Sequence, residues 1–327
     1  MYTTHVGSFP LEYCMENVIK VFHDMIEIGI DYPPYPQLRN FIGIFLKPLI
    51  ELNIIVEERN KYILNAPIRE SFPLKINIRI DEAEITAEEA EKGKSKFKDV
   101  RGCVTGPFTL SSQIQLTQRG TGLSSTLLSN KDLVLKYMVK FVRSYVEYFY
   151  DKLKFKFIVV DEPILSLMVG ARKILFEYSI EELIEALNTI LYGIDFAGIH
   201  VCGMIPPLLK EVLLNTKTIK VLDHEFKDTP RNINVYIKED LEKYDKFISF
   251  GCVSSKNPII ESEEEIMHLV NEGLNRFGSR LLMIKPDCGF RSLLDISRDP
   301  NKAYEIAIEK LRRIVNVSNM LKRKLFE

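Results

Sequence analysis

The chain has 327 residues, 46% of them hydrophobic, and a formal charge of −1 with acids and bases interspersed. That length buries a large core as one α/β barrel or two domains, and the balanced charge excludes a field that would favour nucleic acid or an anionic membrane. No uncharged apolar run reaches the roughly 18 residues of a membrane span, and five scattered cysteines, an odd number in a long chain, argue against a disulfide framework and for a reducing cytoplasm.

In chain order, Tyr2–Gly7 reads as a first strand with no basic-then-apolar leader before it, so no signal peptide is expected. It ends in the turn Gly7-Ser8-Phe9-Pro10. A further strand is expected near Ile28–Tyr32, followed by an irregular, proline-rich and charged insertion over about 32–97, in which Asp81 to Lys98 reads as a solvated helix and loop. Arg101–Gly106 is the next strand and runs into Thr105-Gly106-Pro107. Lys131–Tyr150 carries apolar residues at helical spacing, with Tyr145, Tyr148 and Phe149 read as core. Phe157–Asp161 leads into Asp161-Glu162-Pro163. Strand-like runs Gly198–Gly203, Thr218–Glu225, Lys246–Val253 and Arg280–Cys288 then alternate with helical patterns at Ile180–Leu191, Ser262–Phe277 and Lys302–Lys324. Such alternation predicts a parallel sheet, and its length predicts a single (β/α)8 TIM barrel over residues 1–327, with its active site at the carboxyl ends of the strands.

Three of those strand ends carry metal-ligand chemistry. In His200-Val201-Cys202 the first and third side chains share one face of a strand, because strand side chains alternate. Glu225 and Cys288 close two later strands. Two thiolates, one imidazole and one carboxylate suit tetrahedral zinc, whereas an all-oxygen set would have suggested magnesium or calcium. Ligands gathered from separate strands read as a catalytic site rather than a finger. Cys14, Cys103 and Cys252 read as packing thiols, and His23 and His268 lie in helical patterns without partners. His5 reads as core or as support behind the neighbouring turn, and His224 should face away from Glu225 in a regular strand.

The segments Thr3-Thr4-His5-Val6-Gly7-Ser8-Phe9-Pro10, Val104-Thr105-Gly106-Pro107, Val160-Asp161-Glu162-Pro163, His200-Val201-Cys202 and Lys285-Pro286-Asp287-Cys288-Gly289 occur in one order along the chain. Together they resemble the C-terminal catalytic barrel of cobalamin-independent methionine synthase. The resemblance implies a methyltransferase that makes methionine from homocysteine, with zinc held by His200, Cys202, Glu225 and Cys288. It also implies that Val6, Gly7 and Ser8 contact homocysteine and that Asp161 binds its amino group, although Asp161-Glu162 as a carboxylate pair behind the ligands is the open alternative. Two departures stand out. The family's Gly-Glu segment, whose Glu also holds the amino group, has no clear equivalent, leaving Asp31 or Gln37 as replacements; the family's proton-shuttling His aligns with Lys256, either an acid or donor contact or a solvated loop lysine.

The chain resembles the short archaeal-type homologues, a resemblance that leaves the methyl donor open between a methylated corrinoid such as methylcobalamin, or its carrier protein, and methyltetrahydrofolate. Competing readings are corrinoid-dependent methyl transfer to another thiol such as coenzyme M, and a non-catalytic partner subunit that keeps the barrel. The expected mechanism is in-line attack of a zinc-held thiolate on the methyl group.

Overall fold

Each of the seven runs from Tyr2 to Cys288 forms a strand in the computed structural model, which describes residues 1–59, 61–65, 76–93 and 96–324. The strands are β1 (Tyr2–Thr3), β2 (Ile55–Glu58), β3 (Lys61–Leu64), β4 (Arg101–Thr105), β5 (Ile114–Gln115), β6 (Phe157–Asp161), β7 (Phe196–Val201), β8 (Val221–Glu225), β9 (Phe247–Val253) and β10 (Leu281–Pro286). The main sheet has seven strands in the order β1-β10-β9-β8-β7-β6-β4, and every neighbouring pair is parallel. Helices cover its outer face, so its strands are buried on both sides and read as continuous apolar runs.

The strand expected near Ile28–Tyr32 is displaced. Val18, Val21, Phe22 and Met25 recur at helical spacing and bury one face of a helix, Met15–Ile28, which Gly29 ends in the left-handed conformation at φ +91°. The chain then passes between β1 and β4 as an extended segment held by isolated parallel bridges, Thr4 to Tyr32, Ser8 to Gln37 and Pro34 to Arg101. Pro33, Pro34 and Pro36 have no backbone N–H, which denies this segment a continuous ladder.

The expected insertion is more regular than its composition suggests. It holds a helix at Phe41–Glu51, the antiparallel hairpin β2–β3, which β5 extends in parallel, and a helix at Asp81–Lys92. Residues 60, 66–75, 94 and 95 of it lie outside the described residues. The helix expected to be solvated buries Glu82, Ala83, Thr86 and Ala90, and Glu82 is paired with Arg39. Later helices follow their local signals closely. Ser179 with Glu182 and Ser262 with Glu265 form capping boxes that start the helices Ile180–Ile190 and Glu263–Phe277.

The inside of the curled sheet is divided along its axis. Near the amino ends of the strands, Phe157, Val159, Val221 and Met283 pack with Tyr2, Tyr32, Phe196 and Leu282 into an apolar floor separate from the main core. Beyond it the inward side chains become polar: Arg101, His200, Asp223, Ser249 and Lys285 are all buried. No helix among the described residues is long and apolar enough to cross a membrane.

Candidate metal centre

Register alone assembles much of the site. Thr105 pairs with Asp161, Asp161 with His200, and His200 with Asp223, one residue from each of β4, β6, β7 and β8. One strand end further on, Glu225 and Lys285 both lie beside Gly251 of β9. Gly251 admits this row because a Cβ there would overlap the Asp287 side chain and press on its backbone and on the His224 carbonyl.

Three of the four proposed ligands converge. His200 Nε2 lies 3.0 Å from Cys202 Sγ, Cys202 Sγ lies 3.4 Å from Cys288 Sγ, and Cys288 Sγ lies 3.6 Å from His200 Nε2. Zn–S bonds of about 2.3 Å and Zn–N bonds of about 2.0 Å in a tetrahedron set ligand atoms roughly 3.5–3.8 Å apart. The triangle therefore fits a zinc ion with only small adjustment, and its nitrogen-and-sulfur donor set is the right chemistry. Cys202's hydrogen bond holds the Cys288 thiol well below its ordinary pKa, while the same contact and burial push Cys202 up.

The fourth proposed ligand stands beside the triangle rather than in it. Glu225 Oε2 accepts a hydrogen bond from Thr229 Oγ1 at 3.0 Å, and its buried Oε1 has no hydrogen-bond partner but lies 3.5 Å from the Lys256 ammonium. Lys256 is largely exposed, at 61% of its side chain, and burial works against its charge while Glu225 and Asp228 more than restore it. It thus sets an exposed cation beside the Glu225 carboxylate.

His200 is oriented from behind. Its Nδ1 donates to Asp223 Oδ1 at 2.7 Å, leaving Nε2 as the free donor atom toward the thiols. Burial opposes a charge on this imidazole, yet Asp223 raises its pKa to about 9. Asp223 also accepts from Arg101 Nη1 at 2.7 Å and contacts Lys285 Nζ at 2.8 Å, with all three side chains fully buried. Nothing in the sequence motifs singles these out. The available signal is a charged residue inside each of three apolar strands, which burial on both faces forbids unless the charges meet one another.

The Asp161-Glu162 pair splits. Glu162 accepts from Phe108 N at 2.9 Å, Thr109 N at 2.8 Å and Thr109 Oγ1 at 2.6 Å, so it caps the helix Pro107–Gln113; burial nonetheless pushes its pKa up to about 8. Asp161 faces the interior, with Oδ1 unpartnered and 3.7 Å from Arg101 Nη2. Burial lifts its pKa to about 7, against the pull of Arg101 and His200.

The turn Val6-Gly7-Ser8 closes the other side. Gly7, at φ +115°, donates its N–H to His5 Nδ1 at 3.0 Å, and its carbonyl accepts from Gln37 N at 2.9 Å. Ser8 O accepts from Phe290 N at 2.8 Å, which ties this turn to the residues after Cys288. His5 is buried and stacked on Phe290, a supporting role, and burial lowers its pKa well below normal. Of the two alternative amino-group contacts, Asp31 is held back at Thr3, four residues before Gly7, bonded by Thr3 N, Thr3 Oγ1 and Lys322. Gln37 is beside the turn, and its amide donates to Tyr35 Oη at 2.8 Å, which in turn donates to Cys103 O. His224 points to the outer side, where it meets Val201 O and Tyr236 Oη.

Comparison with known proteins agrees with this architecture. Residues 75–319 match the family described as cobalamin-independent synthase, catalytic domain. The chain is 28% identical to a methionine synthase of Methanocaldococcus jannaschii over 98% of this chain and 100% of that protein. It is 37% identical to a methionine synthase of Methanothermobacter thermautotrophicus, over 48% of this chain and 45% of that one. Among solved structures, a B12-independent methionine synthase from Shewanella sp. W3-18-1, in complex with selenomethionine, superposes with a TM-score of 0.62 at 15% identity, covering 99% of this chain and 98% of the other. A putative vitamin-B12-independent methionine synthase from Listeria monocytogenes gives 0.68 at 16% identity, with 98% of each chain covered.

Proposed function

We propose, for a chain that belongs to the cobalamin-independent synthase catalytic-domain family and is a methyltransferase acting on homocysteine, that it makes methionine at a zinc centre held by His200, Cys202, Cys288 and Glu225. The observation that carries the reading is the triangle of one imidazole nitrogen and two thiol sulfurs, whose ligand atoms lie within 4.8 Å of one another at two strand ends. Glu225 completes the set through its unpartnered Oε1. The isolated bridges through Tyr32, Pro34 and Gln37 support reading residues 1–327 as one barrel whose eighth stave is this extended segment.

A thiol with a pKa near 8.5 is mostly protonated at neutral pH. Zinc, when bound, supplies the charge that keeps such a thiol deprotonated. The chain's own residues do the rest. Asp161, whose buried Oδ1 has no hydrogen-bond partner and lies 3.7 Å from Arg101 Nη2, accepts the substrate ammonium, and Gln37 Oε1 offers a second acceptor beside the Gly7 turn. The backbone at Val6, Gly7 and Ser8 borders the substrate carboxylate. Lys256 reaches over Glu225 and sets a positive charge at the mouth, toward the methyl donor.

An ammonium-seeking carboxylate at this place favours an amino-acid thiol over a sulfonate thiol such as coenzyme M, which would prefer cations. For the methyl donor our reading favours a methylated corrinoid or its carrier protein, with methyltetrahydrofolate as the alternative that the assay below distinguishes. The free thiols throughout the described chain support a reducing cytoplasm.

The test is methionine formation from homocysteine by the zinc-loaded protein, run in parallel with methylcobalamin and methyltetrahydrofolate. Metal-dependent turnover with methylcobalamin, lost by at least a hundredfold in Cys288→Ser, is expected. Failure of the wild type to bind either zinc or homocysteine sinks the assignment.

A further inference from the structure

A lysine inside a sheet barrel is costly unless its charge and its hydrogens are all met, since removing an ammonium from water costs several kcal/mol. Lys285 is fully buried, and its Nζ has three acceptors: Asp223 Oδ1 at 2.8 Å, Pro286 O at 2.8 Å and Asp287 O at 2.8 Å. The first is the same oxygen that takes the Nδ1 hydrogen of His200. The other two are the carbonyls of the residues that lead directly into Cys288. Arg101 Nη1 fixes the remaining oxygen of Asp223 at 2.7 Å. A lysine serving only to neutralise Asp223 would need the carboxylate alone; this one also grips the backbone of the turn that carries a thiol.

We propose that Lys285 is the positioning residue of the metal centre, one ammonium that couples the orientation of the His200 imidazole to the placement of the Cys288 sulfur. Through Asp223 it holds the proton on His200 Nδ1 and leaves the Nε2 lone pair directed between the two thiols. Through the Pro286 and Asp287 carbonyls it fixes where β10 delivers Cys288. Asp287 extends the same tie, because its carboxylate accepts from the backbone N–H groups of Phe226, Lys227 and Asp228, the turn that follows Glu225. This rests on the zinc reading above.

The experiment compares wild type, Lys285→Met, Asp223→Asn and the double variant. Zinc affinity is measured by competition with a chromophoric chelator, the coordination geometry by the visible spectrum of the cobalt(II)-substituted protein, and folding by circular dichroism. Lys285→Met is expected to weaken zinc by about 10- to 100-fold and to alter the cobalt spectrum of the folded protein. The double variant is expected to lose no more than the weaker-binding single variant, since both act on one imidazole. Wild-type affinity with an unchanged cobalt spectrum in a folded Lys285→Met, or additive losses in the double, overturns the proposal. Should Lys285→Met fail to fold, Asp223→Asn carries the same test from the carboxylate side: a tenfold or greater loss with an altered spectrum supports the coupling, and wild-type binding overturns it. A wild type that binds no zinc at all instead sinks the functional reading on which this one stands.

Discussion

Lys246 and Lys285 are both buried lysines, and their surroundings treat them differently. The acceptors of Lys246 are neutral carbonyls, Thr216 O at 2.6 Å and Ile219 O at 2.5 Å, and burial brings its pKa down to about 8. In the unfolded chain a lysine titrates near 10.4. Below about pH 8 both states carry the charge and folding bears the full cost of burying it; between about 8 and 10.4 the unfolded state binds more protons, so stability rises with pH. Wild type should therefore gain thermal stability relative to Lys246→Met as pH is raised from 8 to 10, and parallel Tm profiles would contradict this. The proposed ligand residues are legible in the sequence, because strand parity sets His200 and Cys202 on one face and strand ends deliver Glu225 and Cys288. Asp223 and Lys285 are not, since a charge in an apolar run declares a partner without naming it. Asp161 and Glu162 are adjacent carboxylates in sequence, and only the position of the Pro107–Gln113 helix separates the one facing the interior from the one capping a helix.

At the scale of elements, turns rather than strands bring the ligands together. Asn232 is buried and joins the turns after β7 and β8, accepting from Ile205 N at 3.1 Å and donating to Gly203 O at 2.9 Å and Glu225 O at 2.8 Å. Asp287 does the same for the turn after β8. Gly251 of β9 is what lets Asp287 approach, so Gly251→Ala should destabilise the fold by about 1–3 kcal/mol through overpacking and weaken metal binding at the same time. Chemical denaturation alongside a zinc titration measures both; a folded variant with unchanged stability would refute the close approach. The helices that begin with Ser179 and Ser262 are readable from their caps, and the strands from their apolar runs. The strand expected near Ile28–Tyr32 is not, because a helix with a buried Val18, Val21, Phe22 and Met25 face claims Ile28, and three prolines disguise the extended segment beyond it.

For the molecule as a whole, the sheet is continuous from β1 through β10 and round to β4, and its remaining gap is crossed by residues 31–37 through scattered backbone bonds. These are Tyr32 N to Thr3 O at 3.0 Å, Gln37 N to Gly7 O at 2.9 Å, Phe9 N to Gln37 O at 3.3 Å, Arg101 N to Pro33 O at 2.9 Å and Tyr35 N to Arg101 O at 3.4 Å. The amides of Tyr32, Tyr35 and Gln37 should exchange with deuterium at least tenfold faster than those of Val159, Ile199 and Leu222 in the adjoining ladder; equal protection would show that the gap is as firm as the rest. The proposed metal ligands stand on the continuous ladder, whereas Gly7 and Gln37 face each other across this gap. One half of the pocket thus stands on a regular ladder and the other on scattered bonds. With Gln37 and the Gly7 turn holding the substrate as proposed, changes in which amino-acid thiol is accepted can accumulate along residues 31–37 apart from the strand ends proposed to hold the ion, so the acceptor range of such a chain can drift without its metal chemistry having to be rebuilt.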